Sequence, residues 1–260
     1  MILGGYQKLT LLDYPGKLAT TVFTVGCSFR CPFCHNPELV DLRLAHNEES
    51  EKEFFAFLKK RKGKLEGVCI TGGEPTIQPD IIEFIKKIKK EGFLVKLDSN
   101  GTRPDVLKKL LDQKLIDYVA MDIKSCLENY DIVTGSKVPA STRGDDRSSA
   151  SSRKDFLTTR DGSTRGWDKD RIRLSVNLLM NGKIPYEFRT TVVPGLHSED
   201  DFGKIAKWIS GAPAYYLQEY REEQKILDPN LKKKTKGKTI DLEKIKKNIE
   251  SNFGKVEIRR

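Results

Sequence analysis

The feature that most constrains the fold is a regular alternation between short β-favouring segments and amphipathic helical segments. In residues 80–91, four apolar side chains have the spacing of one buried helix face: Ile81, Phe84, Ile85 and Ile88. The segments on either side, residues 67–70 and 94–97, are short and rich in Val, Ile and Leu, as buried strands are. About six such alternations predict an α/β fold with parallel strands inside and helices outside.

The predicted elements cover most of the chain. Strands are predicted at residues 18–25, 67–70, 94–97, 118–121, 186–193 and 215–218. Helices are predicted at residues 51–61, 80–91, 172–180, 200–209 and 241–253, with a further one beginning at Pro104. Polar motifs follow several of these strands directly, and parallel strands bring their carboxyl ends to one edge of the sheet. That edge is the predicted active site.

The composition is that of one globular domain. A chain of 260 residues, 37% hydrophobic and 32% charged, can bury one core, so residues 1–260 are predicted to form a single domain. No apolar run approaches the roughly 18 residues that a membrane helix needs. The N-terminus lacks a basic region followed by a long apolar one. Because the cysteines are also clustered as metal ligands are, we expect a cytoplasmic protein without membrane partners.

One stretch interrupts the alternation. Residues 136–170 are rich in Ser, Arg, Asp and Gly and contain few large apolar side chains. Such a segment buries too little apolar surface to offset the entropy of ordering. It is predicted to be a flexible insertion within the single domain, and no chemistry is assigned to it.

The formal net charge is +10, but most lysines are spread over helix faces among glutamates. Residues 232–238 form the one basic run, which is predicted to be a solvated loop. No aromatic residues that could stack on bases are interleaved with its lysines. Nucleic acid is therefore not an expected partner, and docking of an acidic protein is the better functional use of this charge.

Three of the five cysteines lie in one short segment with the spacing Cys27-x3-Cys31-x2-Cys34. Short loops disfavour disulfides among them, whereas thiolates at this spacing suit one soft metal centre. An iron–sulfur cluster ordinarily takes four cysteines, so three ligands would leave one iron open. The same thiolates would also bind zinc, with His35 or a more distant residue as the fourth ligand. The two remaining cysteines are predicted to be a core residue and a thiol without a partner.

The cysteine motif, with Phe33 just before its last cysteine, resembles the signature of the radical S-adenosylmethionine (SAM) superfamily. The flanking residues 13–16 and 34–39 resemble the activating enzymes of glycyl-radical proteins, most closely the longer anaerobic ribonucleoside-triphosphate reductase activating proteins. The likeness extends to Thr134 and resumes near Arg171.

This resemblance implies a partial (β/α)6 barrel with a C-terminal helix. It implies a [4Fe–4S] cluster bound by Cys27, Cys31 and Cys34, with SAM on the open iron. Lys124 is expected to meet the SAM carboxylate and is grouped with the cysteines as catalytic. The remaining residues implied to bind the cofactor are Phe33, Gly72, Gly73, Glu74, Pro75, Asp98, Ser99, Asn100, Asp122, Arg189 and His197.

The chemistry of these residues agrees with that assignment. Taken without the resemblance, however, it indicates a SAM site less strongly. Glycines at residues 72 and 73 would let the backbone approach the methionine part of SAM, and Glu74 would face its ammonium. Asp98 suits ribose hydroxyls. Without the resemblance, however, Gly-Gly before Pro is often only a turn, and Asp122-x-Lys124 is often a surface ion pair.

The resemblance implies an oxidoreductase that reductively cleaves SAM, and a 5′-deoxyadenosyl radical that takes hydrogen from a glycine of a partner enzyme. The implied partner is the anaerobic ribonucleotide reductase, and the implied reductant is a low-potential donor of the flavodoxin or ferredoxin type. Two alternatives remain open at this point. One is radical chemistry on a small molecule such as a deazapurine precursor, and the other is a metal-bearing binding module.

Overall fold

The computed structural model describes residues 1–41, 50–135, 168–221 and 225–260. Its strands are β1 (Leu3–Thr10), β2 (Ala19–Thr24), β3 (Gly67–Gly72), β4 (Leu94–Ser99), β5 (Tyr118–Asp122), β6 (Tyr186–Val192), β7 (Tyr215–Glu219) and β8 (Val256–Arg259). Its α-helices are α1 (Glu51–Arg61), α2 (Ile81–Lys90), α3 (Pro104–Asp112), α4 (Tyr130–Val133), α5 (Lys169–Met180), α6 (Glu199–Trp208), α7 (Leu231–Thr235) and α8 (Leu242–Ile249). Short 3₁₀ helices cover Pro37–Leu39, Pro75–Ile77 and Glu250–Asn252.

The strands form one sheet whose spatial order follows the chain from β1 to β8. Every neighbouring pair from β2 to β8 is parallel, while β1 runs antiparallel to β2. Within the described ranges β1 and β8 do not pair, so the sheet is an open, partial barrel. The predicted α/β class is confirmed. The parallel order also brings the carboxyl ends of β2 to β7 to one edge, where the polar motifs follow.

The core lies between the sheet and the surrounding helices. The four apolar residues predicted to share one face of α2 are all buried, with at most 1% of each exposed. Phe54 of α1 stacks on Phe84 of α2 with ring centroids 5.7 Å apart, and both pack against the strands. Burial of each such side chain stabilises the fold by about 1.5–3 kcal/mol. The helical period in the sequence therefore identifies the face that covers the sheet.

Two edge strands are absent from the predicted elements. β1 contains Gly4 and Gly5, and β8 has only four residues, two of them charged. Neither segment carries the apolar run by which buried strands are recognised. Both are strands because each has a neighbour to pair with, which is a property of the tertiary structure.

Three further predicted segments need correction, either in their bounds or in the kind of structure they form. The basic run is not wholly a loop, because Leu231 and Thr235 are buried four residues apart and anchor α7. The predicted helix at residues 241–253 ends as an α-helix at Ile249 and continues as a 3₁₀ turn. Most of the predicted insertion lies outside the described residues. Its last residues belong to α5, where the Asp168 side chain accepts a hydrogen bond from the backbone N–H of Arg171 at 2.8 Å.

The turn between β1 and β2 closes the end of the sheet opposite the polar motifs. Tyr14 is buried and lies directly against Gly67, where an added Cβ would meet its ring at 2.9 Å. Its ring also contacts that of Tyr118, with centroids 6.1 Å apart. Asp13 accepts a hydrogen bond from Thr21 Oγ1 at 2.5 Å. Asp13 and Tyr14 thus hold this turn against β2 and against the starts of β3 and β5.

Across the described parts of the chain, no helix has the length and apolar character needed to cross a membrane.

Candidate active site

The motifs that follow the strands converge on one cavity at the carboxyl edge of the sheet. The cavity is lined by Cys27, Phe29, Cys31, Phe33, Cys34, His35, Asn36, Val40, Thr71, Gly72, Gly73, Glu74, Asp98, Ser99, Asn100, Asp122, Lys124, Arg189 and Thr191. All the sequence-predicted site residues line it except Pro75 and His197. Residues separated by more than 160 positions are therefore brought together by the parallel order of the strands.

The three clustered cysteines lie on a loop, residues 26–36, that is held by backbone hydrogen bonds. Gly26 and Cys27 donate to the carbonyls of Leu39 and Val40 at 2.8 and 3.2 Å, and Cys34 donates to that of Cys31 at 3.0 Å. All three thiols are free. Burial raises the pKa of Cys27 and of Cys31 to about 12 and raises the pKa of Cys34 as well, although the charge of Lys124 opposes this. Without a metal they are neutral thiols facing one cavity.

No three Cys, His, Asp or Glu side chains within the described ranges are arranged to hold a single metal ion. The three thiols line one cavity, and thiolates are the ligands that an iron–sulfur cluster takes.

The segment after β3 needs glycine because it approaches the cysteine loop closely. Gly73 donates to the carbonyl of Thr24 at 2.8 Å, and Glu74 donates to that of Gly26 at 2.7 Å. A Cβ on Gly73 would overlap the Gly26 carbonyl, and Gly72 has φ +109°, which favours glycine. These glycines set the distance between β3 and the cysteine loop.

The carboxylate of Glu74 is fully buried and has partners inside the protein. It accepts from Ser99 Oγ at 2.9 Å, from the backbone N–H of Asn100 at 2.6 Å and from the hydroxyl and N–H of Thr76. Burial raises the pKa of Glu74, and these donors offset part of that rise. The carboxylate thus joins the ends of β3 and β4 at the cavity wall, and its contact with the SAM ammonium stays a prediction.

Ser28 and Thr102 were not singled out by the sequence analysis, and both belong to the contacts that connect the end of β4 to the cysteine loop. Asn100 Nδ2 donates to Ser28 Oγ at 3.0 Å and lies 3.8 Å from Cys27 Sγ. Thr102 Oγ1 lies 2.9 Å from the same Ser28 hydroxyl. A serine or threonine in a loop is too common a signal to identify such contacts beforehand.

A chain of alternating charges, here called the charge ladder, joins the ends of β4, β5 and β6, and all of its members except Lys96 line the cavity: Lys96, Asp98, Arg189, Asp122 and Lys124. Arg189 bridges the two acids, with Nε 2.9 Å from Asp122 and a terminal nitrogen 3.2 Å from Asp98. Lys124 Nζ lies 2.8 Å from Asp122, and the buried Lys96 pairs with Asp98. The ladder therefore has three cations and two anions, and Glu74 adds a third acidic side chain to the cavity lining.

The ladder keeps both acids ionised despite their burial. Desolvation alone would raise the pKa of Asp122, but Arg189 and Lys124 outweigh it and hold that pKa well below its usual range. Arg189 and Lys96 lower the pKa of Asp98 in the same way. The two carboxylates therefore present hydrogen-bond acceptors to the cavity.

Two predicted site residues, His197 and Pro75, lie outside the cavity lining, where His197 contacts backbone groups and Pro75 begins a turn. His197 is buried, its Nδ1 accepts from the N–H of Val193 at 3.0 Å, and its Nε2 lies 2.8 Å from the carbonyl of Lys124. Pro75 begins the 3₁₀ turn after β3. The two other cysteines are buried outside the cavity, Cys69 in β3 and Cys126 with its thiol 3.0 Å from Asp201.

Comparison with known proteins agrees with this arrangement. The family model described as the radical SAM superfamily matches residues 21–144. A protein of Methanocaldococcus jannaschii, provisionally named a glycyl-radical enzyme activating enzyme, is 30% identical over 99% of this chain and 95% of its own length. The chain belongs to the radical SAM superfamily. It is a radical SAM enzyme, as its relatives are.

Shorter matches connect this radical SAM enzyme with differently named relatives. A pyruvate formate-lyase-activating enzyme of Clostridium pasteurianum is 31% identical over 50% of this chain and 55% of its own. A 7-carboxy-7-deazaguanine synthase of Archaeoglobus fulgidus is 36% identical over 46% of this chain and 54% of its own. The chain therefore spans about half the length of these two relatives.

A solved structure shows the same fold. Streptococcus suis SuiB bound to S-adenosylmethionine aligns with a TM-score of 0.60 over 91% of this radical SAM chain and 49% of SuiB, at 13% identity. The likeness supports the partial barrel and nothing finer.

Proposed function

We propose that this radical SAM enzyme cleaves SAM reductively at a [4Fe–4S] cluster bound by Cys27, Cys31 and Cys34, and installs a glycyl radical on a partner enzyme. The observation that carries the proposal is the convergence of three free thiols, the glycine segment after β3 and the charge ladder on one cavity. The nearly full-length relative named for glycyl-radical enzyme activation supports the second part.

The residues present fit such a cluster. Its iron atoms take soft thiolate ligands, and three free thiols line this cavity. Their raised pKa values mean that metal binding must displace their protons. When bound, the cluster supplies the electron that cleaves the sulfonium C–S bond of SAM to methionine and a 5′-deoxyadenosyl radical.

The chain's own residues would bind and orient SAM. Lys124 lines the cavity with its ammonium beside Asp122 and is suited to the SAM carboxylate. The ionised Asp98 accepts hydrogen bonds, as ribose hydroxyls require. Arg189 holds both acids in place and is assigned a positioning role. Glu74 joins the ends of β3 and β4 and, as a carboxylate that lines the cavity, is suited to the SAM ammonium.

The proposed partner is a glycyl-radical enzyme, specifically the anaerobic ribonucleotide reductase, with a low-potential electron donor of the flavodoxin or ferredoxin type. The five free cysteines fit a reducing compartment such as the cytoplasm. A second candidate is radical chemistry on a small deazapurine precursor, which the half-length match to the deazaguanine synthase favours.

The test is anaerobic reconstitution with iron and sulfide, followed by dithionite and SAM, with 5′-deoxyadenosine measured by chromatography. We expect Cys31→Ala to abolish production and Cys126→Ala, a matched control for a buried thiol outside the cavity, to retain it. A wild-type protein that holds iron but releases no 5′-deoxyadenosine would refute the radical function. If the wild type does release 5′-deoxyadenosine, electron paramagnetic resonance distinguishes the two candidate functions. A glycyl radical detected on the reductase would favour activation over radical chemistry on a small molecule.

A further inference from the structure

A second, smaller pocket opens beside the candidate active site and is here called the side pocket. It is lined by polar side chains: His35, Thr191, Gln218, Glu219, Arg221, Arg259 and Arg260. His35 and Thr191 also line the main cavity, whereas none of the residues assigned to the cluster or to SAM lines the side pocket. A radical reacts only with a group about 3–3.5 Å away. The side pocket therefore lies where a substrate can be held while SAM occupies the main cavity.

The side pocket is built on the inner face of the last three strands. Arg189 and Thr191 are two residues apart on β6 and therefore face the same side of the sheet. Thr191 is in register with Gln218 of β7, and Gln218 is in register with Arg259 of β8. These three residues thus form one row across the strands. Because Arg189 and Thr191 both line the main cavity, the row continues that cavity along the barrel wall.

The arginine of this row is fixed in position by its neighbours. The Arg259 guanidinium donates to the two carboxylate oxygens of Glu187 at 2.9 and 3.2 Å, and it lies 3.4 Å from the centre of the Tyr216 ring. Glu187 is buried and also accepts a hydrogen bond from the Tyr118 hydroxyl at 2.9 Å. A guanidinium has five N–H donors, and the pair with Glu187 uses two of them. The side chain is therefore held in place with donors left for a ligand.

Other polar groups of the side pocket have no partner inside the protein. Within the part of the chain that the structure describes, the side chains of Thr191 and Gln218 form no hydrogen bond and Arg221 forms no ion pair. In the same ranges, His35 Nε2 is buried without a hydrogen-bond partner. Buried polar groups in native proteins are ordinarily satisfied by protein, water or ligand. Four unpartnered groups around one pocket point to a polar ligand.

The charges of the side pocket favour a carboxylate as that ligand. Its lining contains three arginines and one acid, Glu219. Arg259 and Arg260 each have an acidic partner, whereas Arg221 has none among the described residues. One uncompensated guanidinium suits a group with a single negative charge better than a doubly charged phosphate. Arginine binds carboxylates through parallel N–H bonds, and the hydroxyl and amide of the row add further donors.

We propose that the side pocket binds the carboxylate of an acidic residue next to the glycine from which the radical takes hydrogen. This inference rests on the proposed function and names what the site recognises in the partner enzyme. Arg221, Gln218 and Arg259 donate hydrogen bonds to the carboxylate, and the glycine enters the main cavity past His35 and Thr191. The carboxylate is an anchor, so no bond forms or breaks in the side pocket.

The test compares two capped tripeptides, acetyl-Glu-Gly-Glu-amide and its neutral counterpart acetyl-Gln-Gly-Gln-amide. Their binding to the reconstituted, SAM-loaded enzyme is measured by calorimetry without a reductant. We expect the wild type to bind the acidic peptide about tenfold or more tightly, as hydrogen bonds to a charged group require. Arg221→Gln and Gln218→Leu should each lose most of this preference. The matched control Arg61→Gln, which changes an exposed arginine in the last turn of α1, should keep it.

Three results would overturn the inference. One is equal binding of the two peptides by the wild type, and another is an acidic preference that survives in both side-pocket variants. The third is binding of benzoate where neither peptide binds, since the pocket would then take a small carboxylate instead of a protein segment. Absence of SAM cleavage by the wild type with dithionite would refute the proposed function whatever the peptides do, so the two failures are distinguishable.

Discussion

At the scale of single residues, the cavity depends on a backbone contact that only glycine permits. Gly73 faces the carbonyls of Gly26 and Leu39, which belong to the segment that holds the cysteine loop. The neighbouring N–H of Glu74 is hydrogen-bonded to the same Gly26 carbonyl. A side chain here would push β3 and the cysteine loop apart, because every atom it meets is backbone and none can move alone.

We predict that Gly73→Ala lowers the free energy of unfolding by about 1–3 kcal/mol, the usual cost of overpacking, and impairs iron retention after reconstitution. Gly203→Ala is the matched control, since Gly203 lies in α6 with open space around its Cα. That change should be neutral or stabilising by up to about 1 kcal/mol. Chemical denaturation and iron analysis would check both. Equal iron content in Gly73→Ala and wild type would contradict this account of the glycine.

At the scale of elements, the ends of β4, β5 and β6 are joined by the charge ladder. Lys96 is its least exposed member, with 2% of its side chain accessible, and it faces into the barrel from β4. Its ammonium holds one oxygen of Asp98 while Arg189 holds the other. A buried lysine is tolerated only with such a partner. We therefore interpret Lys96 as the residue that orients Asp98.

We predict that Lys96→Met weakens SAM binding by about tenfold, equivalent to about 1.4 kcal/mol, because Asp98 loses one of its two cations. Equilibrium binding of SAM to the reconstituted enzyme measures the effect. The control Lys90→Met removes an exposed lysine from α2 and should bind SAM as the wild type does. Partial recovery of Lys96→Met by added ammonium would support the positioning role. Unchanged SAM affinity in that variant would contradict it.

At the scale of the whole molecule, the two ends of the sheet have separate tasks. The carboxyl end carries the cavity, while the other end is closed by Tyr14 from the β1–β2 turn. This division is general in parallel barrels, where the two ends serve chemistry and stability. Changes at the closed end should therefore affect stability more than activity.

We predict that Tyr14→Ala lowers the free energy of unfolding by about 3–5 kcal/mol, as truncation of a buried aromatic residue does. The rate of 5′-deoxyadenosine formation below the unfolding temperature should stay within a few-fold of wild type. Leu12→Ala, at a residue that is 88% exposed in the same turn, should change stability by no more than about 0.5 kcal/mol. A large loss of activity in folded Tyr14→Ala would show that the two ends are coupled.

The sequence by itself determined the elements whose signal is local. Helical spacing of apolar residues identifies α1, α2 and α6 because side chains three and four residues apart share a face. The placement of polar motifs directly after strands was enough to predict one shared site, because parallel strands end at a common edge. Cys27, Glu74, Asp98 and Lys124 line one cavity for that reason.

Only the tertiary structure decided which distant groups meet. β1 and β8 are strands through pairing with their neighbours, and Lys96 is a site residue because of the direction in which β4 presents it. The internal partners of Glu74 and the backbone contacts of His197 likewise depend on segments far apart in the chain. Such contacts leave no local pattern, since they depend on register and on distance in space.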